Sequence, residues 1–355
     1  MGERVLMKGN EALAEAAILA GCKHFFGYPI TPQTEVAAYM AKRLPKIGGT
    51  YLQAESEVAA INMVQGAAAC GIRAMTSSSS PGISLKTEGI SYMAGADVPA
   101  VIINVQRGGP GLGGIQPSQA DYWQATKAMG HGDFHVLVFA PSTVQEMVDL
   151  VNLAFEKADE YRMPAVILSD GKLGQMMEPV EIKAAEPKTF DKPWATCGHG
   201  GKRAHNIVNS LYLQANELER LVKERFERYE KIKATEQRAE EYMMDDADIA
   251  IVAYGATSRV VKAAVKEARA MGIKVGCIRP ITLWPFPTEA IEKAAKSVNQ
   301  FLVCEMSMGQ MVDDVKLAVN GAVPVEFYGR TGGMIPEPAE ILAQIVELNK
   351  KGGAK

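Results

Sequence analysis

The chain has 355 residues, a length that points to two domains rather than one core. Its 47% hydrophobic and 22% charged residues are ordinary for a globular protein, and a formal net charge of -3 lacks the basic footprint of a nucleic-acid binder. No run of about eighteen uncharged apolar residues exists to span a membrane. The opening MGERVLMKGNEALAEAA lacks the basic lead and apolar core of a signal peptide, so a cytoplasmic protein is expected.

In chain order, RVLMKG and FFGYPI bracket an Ala-rich helix expected over about Asn10–Ala20 and ended by Gly21. RAMTSSSS, PAVIINVQR, FHVLVFAP and PAVILSD follow as short runs rich in Val, Ile or Ala. Between the last two, TVQEMVDLVNLAFEKADEY has helical spacing behind Ser142 as N-cap. Strand–helix alternation of this kind predicts a parallel sheet covered on both faces. From about Glu186 the periodicity lapses. A charged helical stretch then carries the apolar stripe Leu211, Ala215, Leu218, Val222, Phe226 and Tyr229, read as a linker helix lying on a domain or a partner. A second α/β unit begins near Ala247 with DIAIVAYG, KVGCIRPI and QFLVCEMS as strands between amphipathic helices. The expected architecture is α/β, with two parallel-sheet three-layer domains: residues 1–185, a loop and helical linker over 186–245, and residues 246–350. The five cysteines, Cys22, Cys70, Cys197, Cys277 and Cys304, form no CxxC pair. They are read as buried reduced thiols, which puts any redox cluster elsewhere.

Four segments stand out: GYPITPQTE (Gly27–Glu35), QAESEVAAINMVQGAA (Gln53–Ala68), MTSSSSPGISLKTEGI (Met75–Ile90) and VQRGGPGLGGIQPSQAD (Val105–Asp121). Each lies where a strand ends or just before the next helix, and in open parallel sheets ligands bind at that edge. Taken singly, each is also explained as a rigid turn, a capping loop or a flexible lid.

Together the four segments closely resemble the alpha-type subunits of the 2-oxoacid:ferredoxin oxidoreductases, over nearly the whole chain and nearest to the branched-chain (2-oxoisovalerate) type. The resemblance implies a pyrimidine-binding domain for thiamine diphosphate (TPP) followed by a transketolase C-terminal-like domain. In that cofactor a carboxyl group hydrogen-bonded to the aminopyrimidine drives the tautomer that removes the thiazolium C2 proton. The candidates are Glu55 and Glu57. Glu57 stands nine residues before Gly66, the family's spacing, and shares a helical face with Ile61 and Val64, whereas Glu55 reads as a helix-start residue. A glutamate in a first turn also serves the helix dipole. The resemblance decides for Glu57.

The resemblance further implies that Arg107, helped by Thr31, binds the substrate carboxylate, and that Tyr28 and Pro29 line the pyrimidine pocket. A planar guanidinium suits a carboxylate. Ile30, Ser80, Gly108 and His131 are weaker site-lining candidates. Lys86 and Glu88 either face the site or form a surface pair, and Arg279 and Pro280 read as architecture. SDGKLG (Ser169–Gly174) carries DG without the preceding Gly of a Mg²⁺–diphosphate motif. The resemblance therefore implies a beta-type partner for the diphosphate and Mg²⁺, gamma- and delta-type partners with the 4Fe-4S clusters, coenzyme A as co-substrate and ferredoxin as acceptor. A non-catalytic assembly protein is the rival of another class. A nicotinamide dehydrogenase fails for want of GxGxxG after the first strand.

Overall fold

The computed structural model describes residues 4–182 and 187–352. The expected boundary at 185/186 lies outside them. Strand β1 (Arg4–Lys8) leads into helix α1 (Gly9–Leu19), β2 (His24–Gly27) and α2 (Thr34–Arg43). Then come β3 (Thr50–Gln53), α3 (Glu57–Ala69), β4 (Ala74–Ser78), α4 (Pro81–Gly95) and β5 (Val101–Gln106). The short α5 (Tyr122–Thr126), β6 (Leu137–Phe139), α6 (Val144–Tyr161), β7 (Ala165–Asp170), α7 (Gly171–Gln175) and β8 (Met177–Glu181) complete the first half. The second half holds α8 (Ala215–Thr235), β9 (Ala239–Tyr242), β10 (Ile249–Val252), α9 (Gly255–Ala270), β11 (Val275–Pro280) and β12 (Thr282–Trp284). It ends with α10 (Thr288–Ala295), β13 (Gln300–Glu305), α11 (Met311–Val319), β14 (Val325–Gly329) and α12 (Pro338–Gly352).

The larger sheet has the order β12-β6-β7-β5-β4-β2-β3 and the smaller β14-β13-β10-β11-β9. Both are parallel except at one edge, where β12 and β9 run antiparallel. Strands β4, β5 and β7 are buried along their whole length, as expected for continuous apolar runs under helices on both faces. One core runs from Leu13 and Val105 through Trp284 to Phe301 and Met311, so the two sheets share packed apolar contacts. Among the described residues no helix is long and apolar enough to cross a membrane.

Four expectations need correction. First, β1 does not join the large sheet but pairs with β8 in a separate antiparallel ribbon. Second, the N-cap of α6 is Thr143, whose Oγ1 accepts from the Glu146 amide at 3.1 Å. Ser142 is displaced from that role because its amide and hydroxyl both donate to the Glu146 carboxylate, at 2.8 and 2.9 Å. Third, the stripe of the charged helix is shorter than its periodicity implies. Leu211 precedes α8 and is 72% exposed, whereas Tyr229 and Ile232 are fully buried. The helix lies on the first domain: Tyr229 Oη donates to the His135 carbonyl at 3.2 Å, and Arg225 donates to the Gly95 carbonyl at 3.1 Å. Fourth, Cys70 and Cys197 are exposed; only Cys22, Cys277 and Cys304 are buried. Burial of the thiols pushes Cys22 and Cys277 up to about 12.

Candidate active site

The C-terminal ends of β2, β3, β4 and β5 open into the four singled-out loops. Ser56 caps α3 by accepting from the Ala59 amide at 3.2 Å, which makes Glu57 the first helical residue. Glu57 is 6% exposed, while Glu55, before the cap, is exposed. The Glu57 carboxylate lies against Gly82 in the first turn of α4. A Cβ built there would sit 2.6 Å from Glu57 Oε1 and 2.1 Å from Ser78 Oγ. One turn further on, Lys86 is fully buried and donates to Thr76 Oγ1 at 2.9 Å. Burial pulls the Lys86 ammonium down to about 8, against the opposing pull of the Glu57 carboxylate. The hydroxyls of Ser78 and Ser79 are buried without a hydrogen-bond partner.

Arg107 leaves the end of β5 and is 7% exposed. Its guanidinium donates to the carbonyls of Thr31 at 2.9 Å and Leu112 at 3.1 Å, and its Nε is buried without a partner. It forms no ion pair among the described residues, so the cation keeps donors for an incoming anion. Its backbone is held by Ser80: the Arg107 amide donates to Ser80 Oγ at 3.0 Å. Ser80 Oγ in turn lies 2.6 Å from Asp121 Oδ2, which also accepts from Asn104 Nδ2 at 2.9 Å. Ser80 sits at φ 22°, a strained position for a side-chain-bearing residue. Burial raises the Asp121 carboxyl, and the bonds from Ser80 and Asn104 oppose that. The glycine-rich loop after Arg107 closes tightly: the Gly114 amide donates to the Gly108 carbonyl at 2.9 Å, and a Cβ on Gly113 would lie 1.9 Å from that oxygen.

Two cavities adjoin these residues. One of about 620 Å³ is lined by Thr31, Glu35, Gln116, Lys172 and Ile335 among others. The other, of about 640 Å³, lies between the sheets against Ser80, Gly108, Asp121, Gln124, Met308 and Gln310.

The structure thus brings Glu57, Thr31, Ser80, Arg107 and Gly108 to one sheet edge. Tyr28 and Ile30 are half-buried and Pro29 exposed in the β2 loop beside them, and the Tyr28 carbonyl accepts from Gln33 Nε2 at 3.3 Å. His131 is not gathered in. It is exposed, its amide donates to Ser91 Oγ at 2.9 Å, and Ser91 lies toward the other end of α4 from Ser80. Of the pair Lys86 and Glu88, Lys86 turns inward while Glu88 bonds Tyr92 at the surface. Arg279 binds Glu146 and Glu240, both at 2.7 Å, as architecture. Asp170 of SDGKLG caps α7 through the amides of Lys172 and Leu173, at 2.9 and 3.1 Å. Sequence reasoning gave no role to Ser78, Gly82, Asn104 or Asp121. Ser78, Gly82 and Asp121 lay inside quoted motifs, but only the fold shows what they touch.

These residues fit the pyrimidine end of TPP. A buried carboxylate stands at a helix start, beside a glycine where no side chain has room and hydroxyls left unpartnered. Among the described residues no group of three or more His, Cys, Asp or Glu is placed to hold a metal ion.

Comparison with known proteins agrees with this geometry. The family model for pyruvate flavodoxin/ferredoxin oxidoreductase, thiamine diphosphate-binding, matches residues 15–245, and that for pyruvate:ferredoxin oxidoreductase core domain II matches residues 247–341. The ketoisovalerate oxidoreductase subunit VorB of Methanothermobacter marburgensis is 50% identical over 97% of both chains. The 2-oxoglutarate synthase subunit KorA of Methanothermobacter thermautotrophicus is 37% identical over 99% of this chain and 100% of its own. Among solved structures, the 2-oxoglutarate:ferredoxin oxidoreductase from Magnetococcus marinus, with 2-oxoglutarate, coenzyme A and succinyl-CoA bound, superposes with a TM-score of 0.85. It is 28% identical, and the match covers 98% of this chain and 66% of that one. A split-gene transketolase in an inactive beta4 tetramer shares the fold, with a TM-score of 0.59 at 13% identity over 99% of both chains. The chain therefore belongs to the pyruvate flavodoxin/ferredoxin oxidoreductase family, as a subunit of a thiamine diphosphate-dependent 2-oxoacid:ferredoxin oxidoreductase.

Proposed function

We propose that this chain supplies the pyrimidine-activating half of the cofactor site, with Glu57 as the catalytic carboxylate, and that its complex oxidises a branched-chain 2-oxoacid. The observation that carries the reading is the Glu57 carboxylate held at the start of α3 against Gly82. When bound, TPP supplies the carbanion equivalent that attacks the 2-oxo carbon and accepts the electrons of decarboxylation. The residues of this chain hold and orient. Glu57 exchanges a proton with the pyrimidine, and Tyr28 and Pro29 line its pocket. Arg107, with Thr31 beside it, holds the substrate carboxylate until it leaves as carbon dioxide. In sum, one 2-oxoacid and coenzyme A give acyl-CoA, carbon dioxide, one proton and two electrons for ferredoxin.

The other half of the site, with Mg²⁺ and the diphosphate, is assigned to a beta-type partner. Gamma- and delta-type partners carry the 4Fe-4S clusters. Residues 1–185 act as the pyrimidine-binding domain, 186–245 as the joining segment and 246–350 as the transketolase C-terminal-like domain, except that β9 from the middle span joins the second sheet and β12 from the last span extends the first.

The branched-chain substrate is supported by the 50% identity to VorB against 37% to KorA. No Lys, Arg or His lines the cavity beside Ser80 and Gly108 among the described residues, whereas the cavity beside Thr31 has Lys172. Three cations are engaged elsewhere: Arg73 pairs with Asp159 at 2.8 Å, Lys86 donates to Thr76 Oγ1 at 2.9 Å and His131 is outside the cluster. 2-Oxoglutarate is the second reading, favoured by the KorA relatives.

The test is anaerobic dye reduction by the complex co-purified with its partners, given 2-oxoisovalerate, 2-oxoglutarate, pyruvate or phenylglyoxylate with coenzyme A. Glu57→Gln should lose about two orders of magnitude or more, the scale of a general acid–base group. Glu55→Gln should stay near wild type. Full activity in Glu57→Gln would sink the assignment, and a preference for 2-oxoglutarate would select the second reading.

A further inference from the structure

Asp97 and Arg162 lie at the end of the large sheet opposite the candidate active site. Asp97 stands between α4 and β5, and Arg162 between α6 and β7, each a few residues before its strand. Arg107 leaves the other end of β5, and a strand of six residues spans about 20 Å. A cavity of about 250 Å³ opens at this far end. Its walls include Asp97, Arg162, Trp194, Asn206, Tyr212 and Arg225, so the first domain, the segment before α8 and α8 itself all contribute.

Three guanidinium groups gather here around one carboxylate. Arg225 Nε and Arg228 Nη2 both donate to Asp97 Oδ1, at 3.3 and 2.6 Å, and Arg162 Nε donates to the Asp97 carbonyl at 3.3 Å. Among the described residues Asp97 is the only carboxylate that pairs with any of the three. The Arg162 guanidinium lies over the Trp194 ring, 4.6 Å from its centroid, and Arg225 is 6% exposed. A guanidinium has five donors. Among the described residues Arg162 and Arg228 each use one, and Arg225 uses two, the second on the Gly95 carbonyl. Arg228 Nε is buried with no partner. Burial pulls the Arg162 guanidinium down, Asp97 opposes that and the Arg228 charge adds to it. Positive charge in excess, largely buried and short of acceptors, is costly unless an anion meets it.

We infer that this cavity binds a small oxyanion of the phosphate class, free or as the end group of a monoester, held by the guanidinium forks of Arg162 and Arg225 while Arg228 balances Asp97. Paired N–H donors on a planar fork match phosphate oxygens, and such charge-assisted bonds are the strong ones. The volume sets the size. Pockets for drug-sized ligands run from about 300 to 1,000 Å³, so this one takes phosphate or a short monoester and not a nucleotide. The bound anion would tie α8 and the segment before it to the sheet, at a distance from the chemistry.

The test uses the complex with its partners, loaded with TPP, Mg²⁺ and coenzyme A so that their own sites are filled. Binding of labelled inorganic phosphate is measured by equilibrium dialysis at fixed ionic strength in potassium chloride, with the melting temperature followed in parallel. Wild type should bind one phosphate per copy of this chain and melt higher in phosphate than in chloride. Arg162→Gln should weaken binding about tenfold or more, the worth of a hydrogen bond to a charged group. Asp97→Asn removes the competing carboxylate, and asparagine accepts the left-handed backbone at φ 51°. It should bind phosphate more tightly than wild type, melt lower in chloride and recover in phosphate. If Arg162→Gln does not assemble, Asp97→Asn decides. A cluster that only holds the fold together would destabilise both variants equally in phosphate and in chloride, which overturns the inference. So does a wild-type complex that binds no phosphate, or binding that neither variant alters. Displacement of the label by glycerol phosphate supports a monoester as the natural occupant, and its failure supports a free oxyanion. Acetate displacing the label as readily as phosphate overturns the phosphate class.

Discussion

Gly82 holds the site open by having no side chain. Gly82→Ala would drive a methyl group into the Glu57 carboxylate and Ser78 Oγ, at 2.6 and 2.1 Å. Overpacking of this sort costs about 1–3 kcal/mol. The variant complex should melt lower, and its kcat should fall more than its KM rises, because the group displaced is the proposed proton carrier. A variant with unchanged kcat would detach Gly82 from the site. At Arg107 the expected split is the reverse. Arg107→Lys keeps the charge but loses the fork, so KM for the 2-oxoacid should rise about tenfold or more with a smaller change in kcat. Substrate titrations of the two variants side by side check both. At this scale the sequence distinguished Glu57 from Glu55 through resemblance and register. It left Lys86 and Glu88 undecided, since two residues on one helix surface differ in burial only once a neighbouring helix covers one of them.

Among elements, α8 shows how a polar helix is anchored. Its inner side sets Tyr229 and Phe226 around His135, whose ring stacks on Trp284 with centroids 4.6 Å apart. Burial, helped by the charges of Lys233 and Lys127, brings His135 down to about 4. A base whose folded value lies below its unfolded one stabilises when neutral. Stability is therefore lost as pH falls from about 6.5 towards 4. His135→Phe should flatten that part of the thermal-denaturation profile against pH, and an unchanged acid slope would place the loss elsewhere. The helix's existence was legible from its spacing. So was the inward turn of Tyr229, which lies on the expected stripe; that of Ile232 was not, because charge alternation looks alike on either side of a helix until something covers one. The same limit explains the shift of the α6 cap to Thr143, where Ser142 had already been drawn to Glu146.

At the scale of the whole molecule, the two sheets are joined by Gln119. Its Nε2 donates to the Tyr254 carbonyl at 2.9 Å, and its Oε1 accepts from Thr257 Oγ1 at 2.7 Å and the Met306 amide at 3.0 Å. Gln119→Leu would leave those three groups buried and unpaired, each worth about 1–3 kcal/mol. Calorimetry should show a lower melting temperature, and the transition should split if the two halves then unfold separately. The proposed division of the cofactor between subunits makes a further prediction: the isolated chain should bind TPP and Mg²⁺ far more weakly than the assembled complex. Equal affinities by calorimetric titration would overturn that division.

By itself the sequence determined the α/β class, the alternation of the main strands and helices, the four loops at the strand ends and the family, because these follow from local periodicity and contiguous motifs. Only the tertiary structure decided which of those residues meet. It set Gly82 against Glu57, hung Arg107 from Thr31 and Ser80, buried Lys86, took β12 into the first sheet and left His131 outside. Each of those outcomes depends on contacts between segments distant in the chain. Periodicity says which side of an element is apolar, but packing decides what that side touches.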